Sequence, residues 1–498
     1  MKKAIILAAG IGSRLRPLTD TKPKTLVSVR AKPILGHTLE ALTTNGITDI
    51  VIIVGYFSDK VRRFCRNTYP NVNFTFIENK EYLNTNNLYS LCLAREHINE
   101  DVFILNGDLV FDHSIIKDMK DATTSVVAIE VGRYLEESMK VRVESDRIVG
   151  ISKGISPADA YGTSIDVYKF VKSDIDSLVA GLEKTLKNGG ERAWTEVAFD
   201  NLFASGALEA RVCDIGKKQW MEIDTTDDLA EAELKFNPRA LEIRDKKLFF
   251  VDNDGTLTLG AKVLPGAQDF LAALEKRGKP FYVLTNNSSL IPRDIVQKFA
   301  QRGMTLKEDQ VLISTEAAML FLKEQNVGRL FWVANEQASS WIKERGFVFD
   351  MEAPEALLLC YDTEITYEKI TKLIELIRRG IPYYATHIDK VCPTEDGPIP
   401  DIGSFIEMVY ASTGVQPLRV FGKPDKNFIE PILRARGVNA EDAVVIGDRT
   451  YTDMELASRA GAFSILVLSG ETDIADYEAS PGTAAIAAKN VGALVPHV

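Results

Sequence analysis

Two short strings in this sequence carry groups able to handle phosphate. In the first, the apolar run Lys3 to Ala8 leads into Ala9, Gly10, Ile11, Gly12, Ser13, Arg14 and Leu15, with Lys22, Pro23 and Lys24 following. Glycines directly after a strand let backbone N–H groups approach phosphate oxygens, and Arg14 and Lys24 add positive charge where a triphosphate would lie. The string departs from the dinucleotide fingerprint, because Leu15 occupies the third glycine position, and from the P-loop, because no Gly-Lys-Ser/Thr is present. In the second string, Lys247 to Val251 leads into Asp252, Asn253, Asp254, Gly255, Thr256 and Leu257. Two carboxylates at this spacing can both reach one phosphate if the chain turns at the glycine. An EF-hand reading fails at the twelfth position, where Val263 stands in place of Glu.

Each string needs a sheet to hold it. Runs rich in β-branched residues at Lys3 to Ala8, Asp49 to Val54, Asn73 to Ile77, Val102 to Leu105 and Ser125 to Val131 alternate with amphipathic helical stretches. That alternation predicts an α/β fold with a largely parallel sheet. The same pattern restarts at Lys247. The charged helical stretch Asp227 to Lys235 stops before Asn237 and Pro238, and proline disfavours helix at the residue before it. A boundary is therefore expected near 236–245, giving domains 1–238 and 239–498. Thr285 to Ser289 and Phe421 to Pro424 look like parts of one site separated by an insertion of about 290–420. That insertion has its own apolar runs, Arg329 to Val333 and Ala356 to Tyr361.

A chain of 498 residues, 45% hydrophobic and 26% charged, is long enough for two or three stable cores, which excludes disordered and disulfide-stapled classes. Cys65, Cys92, Cys213, Cys360 and Cys392 show no CxxC or Cys/His spacing, so they read as reduced thiols rather than zinc ligands. The formal charge of -11 repels polyanions, so nucleic acid is not an expected partner and any phosphate must be met locally. No apolar run approaches the roughly 20 residues of a membrane span. Lys2 and Lys3 before an apolar stretch imitate a signal peptide, but Arg14 and Arg16 close it and no small-residue cleavage site follows. A cytoplasmic location is expected; the oligomeric state, a homo-oligomer included, stays open.

The string LAAGIGSRLRPLT, Leu7 to Thr19, followed by KPKTL, Lys22 to Leu26, resembles the sugar-phosphate and choline-phosphate nucleotidyltransferases, which share a Rossmann-like α/β domain. Within them it is most similar to bacterial CTP:phosphocholine cytidylyltransferases, with further matches at Val54 to Tyr56, Asn86 to Leu91 (NNLYSL), Asn106 to Asp108 and Glu222 to Asp224. The resemblance implies that Ala9, Gly10, Gly12, Arg14 and Lys24 hold the triphosphate of CTP and that Asp108 and Asp224 bind Mg²⁺. Lys24 would also serve catalysis. The chemistry agrees, since a phosphomonoester arrives largely as a dianion and needs charge neutralisation and in-line positioning rather than a general base. Acceptor recognition is less legible. Trp194, Trp220, Tyr89 and Tyr161 could box a quaternary ammonium, with Asp200 or Glu196 as counter-charge and Asn87 nearby. Each also reads as ordinary core or surface packing.

The string DNDGTL, Asp252 to Leu257, resembles the first motif of the haloacid dehalogenase superfamily, and three more follow in order: Thr285 in LTNNS, Lys423 in GKP, and Asp448 and Asp453 in GDRTYTD. The resemblance implies that Asp252 attacks phosphorus, Asp254 protonates the leaving oxygen, and Thr285 and Lys423 hold phosphate oxygens. Asp252, Asp254, Asp448 and Asp453 would bind Mg²⁺. The placement of the insertion, and Pro265 to Ala267, resemble the NagD-like subclass with a large α/β cap, a Rossmannoid phosphatase fold. There a cap loop TNxD, followed by a proline, reaches the substrate. Here it reads Thr386, His387, Ile388 and Asp389, with Cys392 and Pro393 later, so His387 replaces the usual Asn.

These readings give a bifunctional, Mg²⁺-dependent enzyme. One half would transfer a cytidylyl group from CTP to a small phosphomonoester such as a phosphocholine-like, aminoalkyl or polyol phosphate, and the other would hydrolyse a phosphomonoester through an aspartyl-phosphate. Uridylyl or thymidylyl transfer to a sugar phosphate, or a non-catalytic sensing role for one half, are the alternatives. The two specificities should differ, because overlap would destroy the acceptor.

Overall fold

The computed structural model describes residues 1–134, 137–392 and 397–498, so Pro393 lies outside the described residues. The chain divides into two units, Met1–Phe236 and Asn237–Val498.

In the first unit a nine-stranded sheet runs in the order Arg147–Ser152, Lys140–Glu144, Gly162–Phe170, Val102–Asn106, Lys3–Ala8, Asp49–Val54, Asn73–Glu78. Val126–Val131 also pairs with Gly162–Phe170 and with Arg211–Asp214. The central strand Lys3–Ala8 is buried along its whole length, with Ile5 and Leu7 in one apolar core and Ala4, Ile6 and Ala8 in another. A strand covered on both faces must be apolar at consecutive positions, which is why this run reads as continuous rather than alternating. Its pairings with Val102–Asn106 and Asp49–Val54 are parallel. Gly162–Phe170 then pairs antiparallel with Val102–Asn106, so the sheet expected to be largely parallel is mixed. The later strands return through tight turns. At Ser145 and Asp146 both residues take left-handed backbone, as a two-residue hairpin turn requires.

In the second unit a six-stranded, wholly parallel sheet has the order Val311–Ile313, Phe281–Thr285, Leu248–Asp252, Ala443–Gly447, Phe463–Val467, Ile486–Ala488. A second parallel sheet, Val348–Phe349, Arg329–Val333, Ala356–Leu359, Tyr383–Ala385, Arg419–Val420, forms the inserted cap. Because Val311–Ile313 extends the six-stranded sheet, the stretch 290–328 contributes to that sheet rather than to the cap expected from 290 onward. The carboxyl ends of neighbouring parallel strands lie together, which places Asp252, Thr285 and Gly447 side by side. Among the described residues no helix is long and apolar enough to cross a membrane, and all five cysteines are free.

Two candidate active sites

In the first unit the glycine loop follows the buried central strand, and Asp108 follows its neighbour Val102–Asn106. The Lys24 ammonium bridges Asp108 at 2.9 Å and Asp224 at 2.5 Å, and Arg14 reaches the other oxygen of Asp224 at 2.9 Å. Burial alone would lower the Lys24 pKa, but the two carboxylates raise it above its ordinary value. Burial likewise opposes ionisation of Asp224, yet Lys24 and Arg14 hold its carboxyl below the usual range. Glu222, exposed over much of its surface, stands with Asp108 and Asp224 as a third convergent carboxylate, and the partial enclosure of its carboxyl end together with those two charges pushes it up to about 8. Buried Asp108 Oδ1 has no hydrogen-bond partner. An orphaned carboxylate oxygen beside two further acids is what a divalent cation would satisfy, so these residues fit Mg²⁺.

A cavity of about 660 Å³ opens beside this cluster, bordered by Gly10, Arg14, Asn87, Trp194, Trp220 and Glu196, among others. The Tyr168 hydroxyl lies 2.7 Å from Glu196 and 3.0 Å from Asp166, and Asn106 donates to Asp166 at 2.9 Å. A phenol carries one proton and can serve only one carboxylate at a time, so the remaining contact calls for a protonated carboxyl. Burial, then the facing Glu196 and Glu222 charges, raises Asp166 well above its ordinary pKa; burial also raises Glu196.

In the second unit Asp252 ends its strand fully enclosed, and Lys423 hydrogen-bonds its Oδ1 while lying 2.8 Å from Asp453. Asp252, Asp448 and Asp453 converge as one cluster, and buried Asp252 Oδ2 and Asp448 Oδ1 are orphaned, so this site too fits a divalent cation. Burial, opposed by Lys423 and reinforced by Asp453 and Asp448, raises Asp252 well above its ordinary pKa; burial and Asp453 push Asp448 up to about 7. Backbone hems Asp448 in: a Cβ on Gly255 would fall 2.2 Å, and one on Gly470 2.0 Å, from its Oδ2. Asp254 borders the same small cavity as Asp252, with Thr285 Oγ1 3.5 Å from its carboxyl, and burial raises its pKa. Asn286 accepts from the Lys423 N–H at 2.9 Å and donates towards Asp389, which pairs with Arg449 at 3.0 Å.

Most of the residues marked in the sequence therefore meet, with exceptions. Asp254, expected among the metal ligands, stands apart from the carboxylate cluster of Asp252, Asp448 and Asp453. Tyr161 is exposed, and neither it nor Tyr89 borders the cavity. Trp194 and Trp220 border the cavity, where Trp194 faces the Lys153 ammonium at 4.8 Å and Trp220 donates to Glu130, while Asp200 accepts the Ile151 N–H. Asn87 borders the cavity and accepts the Thr195 N–H at 2.9 Å. Sequence reasoning assigned no role to Glu222, Asp166, Asn286 and Arg449. Glu222 lies two residues before Asp224 and Arg449 inside GDRTYTD, so proximity to a motif was the available signal.

Comparison with known proteins agrees with this division. The Nucleotidyl transferase family matches residues 3–137, the Haloacid dehalogenase-like hydrolase family matches 249–348, and a related hydrolase family matches 420–494. The 5'-nucleotidase YutF of Bacillus subtilis is 31% identical over 45% of this chain and 88% of its own length. Dihydroxyacetone phosphatase of Corynebacterium glutamicum is 31% identical over 47% of this chain and 85% of its own. CMP-5'-(3-aminopropyl)phosphonate synthase of Streptomyces rubellomurinus is 30% identical over 47% of this chain but only 39% of its own length. The 4-nitrophenylphosphatase of Thermotoga maritima aligns with 51% of this chain and 98% of its own at 38% identity and a TM-score of 0.49. The chain belongs to the haloacid dehalogenase-like hydrolases and carries a nucleotidyl transferase domain at its N-terminal end. It is an enzyme of two parts, a nucleotidyltransferase fused to a phosphatase.

Proposed function

We propose that the first unit transfers a cytidylyl group from CTP to a small amine-bearing phosphomonoester or phosphonate, releasing pyrophosphate. The observation that carries the reading is the convergence of Lys24 and Arg14 with Asp108, Glu222 and Asp224 beside the glycine loop. Ala9, Gly10 and Gly12 present backbone to the triphosphate, and Lys24 and Arg14 neutralise it. Asp108, Glu222 and Asp224 would hold Mg²⁺, which supplies charge neutralisation at the transferred phosphoryl group. The acceptor's dianion attacks without a base. The acids Asp166 and Glu196 border the cavity and offer hydrogen-bonding oxygens to an amine on the acceptor, and the similarity to a CMP-5'-(3-aminopropyl)phosphonate synthase supports both the base and the amine. Asn87 keeps the helix that bears Glu196 in register with the cavity.

In the second unit Asp252 attacks phosphorus while Lys423 and Thr285 hold phosphate oxygens, and Asp254, whose pKa burial raises, delivers a proton to the leaving oxygen. Hydrolysis of the aspartyl-phosphate then returns the proton through Asp254. Asp252, Asp448 and Asp453 would hold Mg²⁺. The test is the whole protein with Mg²⁺, each of four nucleoside triphosphates and a panel of phosphomonoesters and phosphonates, with pyrophosphate and inorganic phosphate followed separately. Preference for UTP or dTTP with hexose 1-phosphates by more than tenfold in kcat/KM, about 1.4 kcal/mol, would overturn the cytidylyl assignment.

A further inference from the structure

The phosphatase cavity narrows to about 20 Å³, with Asp252, Asp254, Thr285 and Lys423 at the phosphate end and Asp389, Cys392 and Asp401 from the cap opposite. The cations that border it are already engaged. Lys423 is paired with Asp252 and Asp453, and Arg449 with Asp389 at 3.0 Å and Glu471 at 2.8 Å. Asp401 has no such fixed cation. Among the described residues its Oδ1 meets His387 Nε2 at 2.9 Å and the Ile402 N–H at 2.7 Å, where it caps the helix Ile402–Thr413. His387 is fully buried, and its other nitrogen faces the Thr386 hydroxyl at 3.4 Å, so the imidazole is a brace between the cap loop and that helix start.

We propose that Asp401, braced by His387, is a second specificity carboxylate beside Asp389 and makes the phosphatase select small leaving alcohols bearing ammonium or hydroxyl donors over those bearing a carboxylate. The inference rests on the reading of this unit as an Asp252-dependent phosphatase. A leaving group seated between Asp389 and Asp401 finds acceptor oxygens on the cap side and no unengaged cation among the described residues bordering the cavity. An anionic substituent there would meet the Asp401 carboxylate, which has no fixed cation, in a narrow space where like charges repel strongly, while Asp389 is already paired with Arg449. A donor gains charge-assisted hydrogen bonds.

The test compares two substrates of matched length, ethanolamine phosphate and phosphoglycolate, with 4-nitrophenyl phosphate as reference, using the full chain with Mg²⁺. Wild type should favour ethanolamine phosphate at least tenfold in kcat/KM. Asp401→Asn retains a good helix N-cap, so folding should survive. It should lower kcat/KM for ethanolamine phosphate and raise it for phosphoglycolate, shifting their ratio tenfold or more. Asp389→Asn should shift the ratio in the same direction. His387→Gln, which can still donate to Asp401, should keep most of the preference that His387→Ala loses. Equal or better use of phosphoglycolate by wild type, or a proportional loss on all three substrates in Asp401→Asn, overturns the proposal. Absence of phosphate release from every substrate, including 4-nitrophenyl phosphate, overturns the phosphatase reading itself.

Discussion

The Lys24 ammonium sits 2.5 Å from Asp224 and, through its second contact, ties that residue to Asp108, so a lysine occupies the region between two carboxylates that fit a metal. A Mg²⁺ bound there would compete with the lysine for the same charge until nucleotide phosphates drew the ammonium away. Lys24→Met should tighten Mg²⁺ binding to the nucleotide-free protein, read by titration calorimetry in a phosphatase-silent Asp448→Asn background. The same change should lower cytidylyl transfer ~10²-fold or more, the scale of losing one preorganised charged donor. Weaker Mg²⁺ binding in the variant would show that Lys24 organises the site instead of competing for it.

Asp108→Ala should abolish pyrophosphate release while inorganic phosphate release continues within twofold of wild type. The two units have separate sheets and cores, and Asp108 belongs to the first. Loss of both activities in parallel would mean that they do not work independently.

Asp252→Asn keeps the size of the side chain and its contact with Lys423 but removes the attacking charge, so phosphate release should drop by ~10³-fold or more with cooperative unfolding retained. Asp254→Asn removes a proton donor. Its loss, ~10² to 10⁴-fold for an alkyl phosphate, should shrink for 4-nitrophenyl phosphate, whose leaving group needs little protonation. A phosphoenzyme trapped in Asp252→Asn would move the nucleophile elsewhere.

The acids around Tyr168 predict how stability follows pH. Asp166 and Glu196 are raised above their ordinary values, first by burial, and Glu222 is raised to about 8. A carboxyl with a raised folded pKa binds its proton more tightly in the folded state. Its contribution is therefore fully present below about pH 4 and is lost as pH rises through the folded value. Without Mg²⁺ and nucleotide, the melting temperature of the first unit's transition should fall between about pH 5 and pH 9. Asp166→Asn and Glu196→Gln should flatten that fall, and a melting temperature that rises over this range would contradict the protonated assignment.

The phosphatase motifs were legible because each is local: a strand end delivers Asp252, Thr285 or Asp448, and a parallel sheet brings strand ends together whatever lies between them. The same logic revealed the glycine loop, Lys24 and Asp108. Asp166 was hidden because its role depends on an irregular register within Gly162–Phe170, where its backbone takes a left-handed turn that no periodicity announces. The surroundings of the two tryptophans were hidden for a related reason. Composition supplies tryptophans, but Lys153 and Glu130, distant in sequence, decide what those rings face. The start of the cap was misplaced because Val311–Ile313 is an apolar run like any other, and only its pairing with Phe281–Thr285 assigns it to the larger sheet.

The backbone that hems in Asp448 bears on ion selectivity. One Asp448 oxygen accepts the Glu471 N–H at 2.6 Å, and a side chain at Gly255 or Gly470 would collide with it, so the carboxylate is closely confined. A small ion held at about 2.0–2.1 Å with strict octahedral demands suits such a fixed ligand, whereas a larger one at about 2.3–2.6 Å needs ligands that can splay and add members. If this cluster holds a metal, crowding at Asp448 should make it discriminate by size, so Mg²⁺ should support phosphate release better than Ca²⁺ does; equal turnover with the two ions would contradict this.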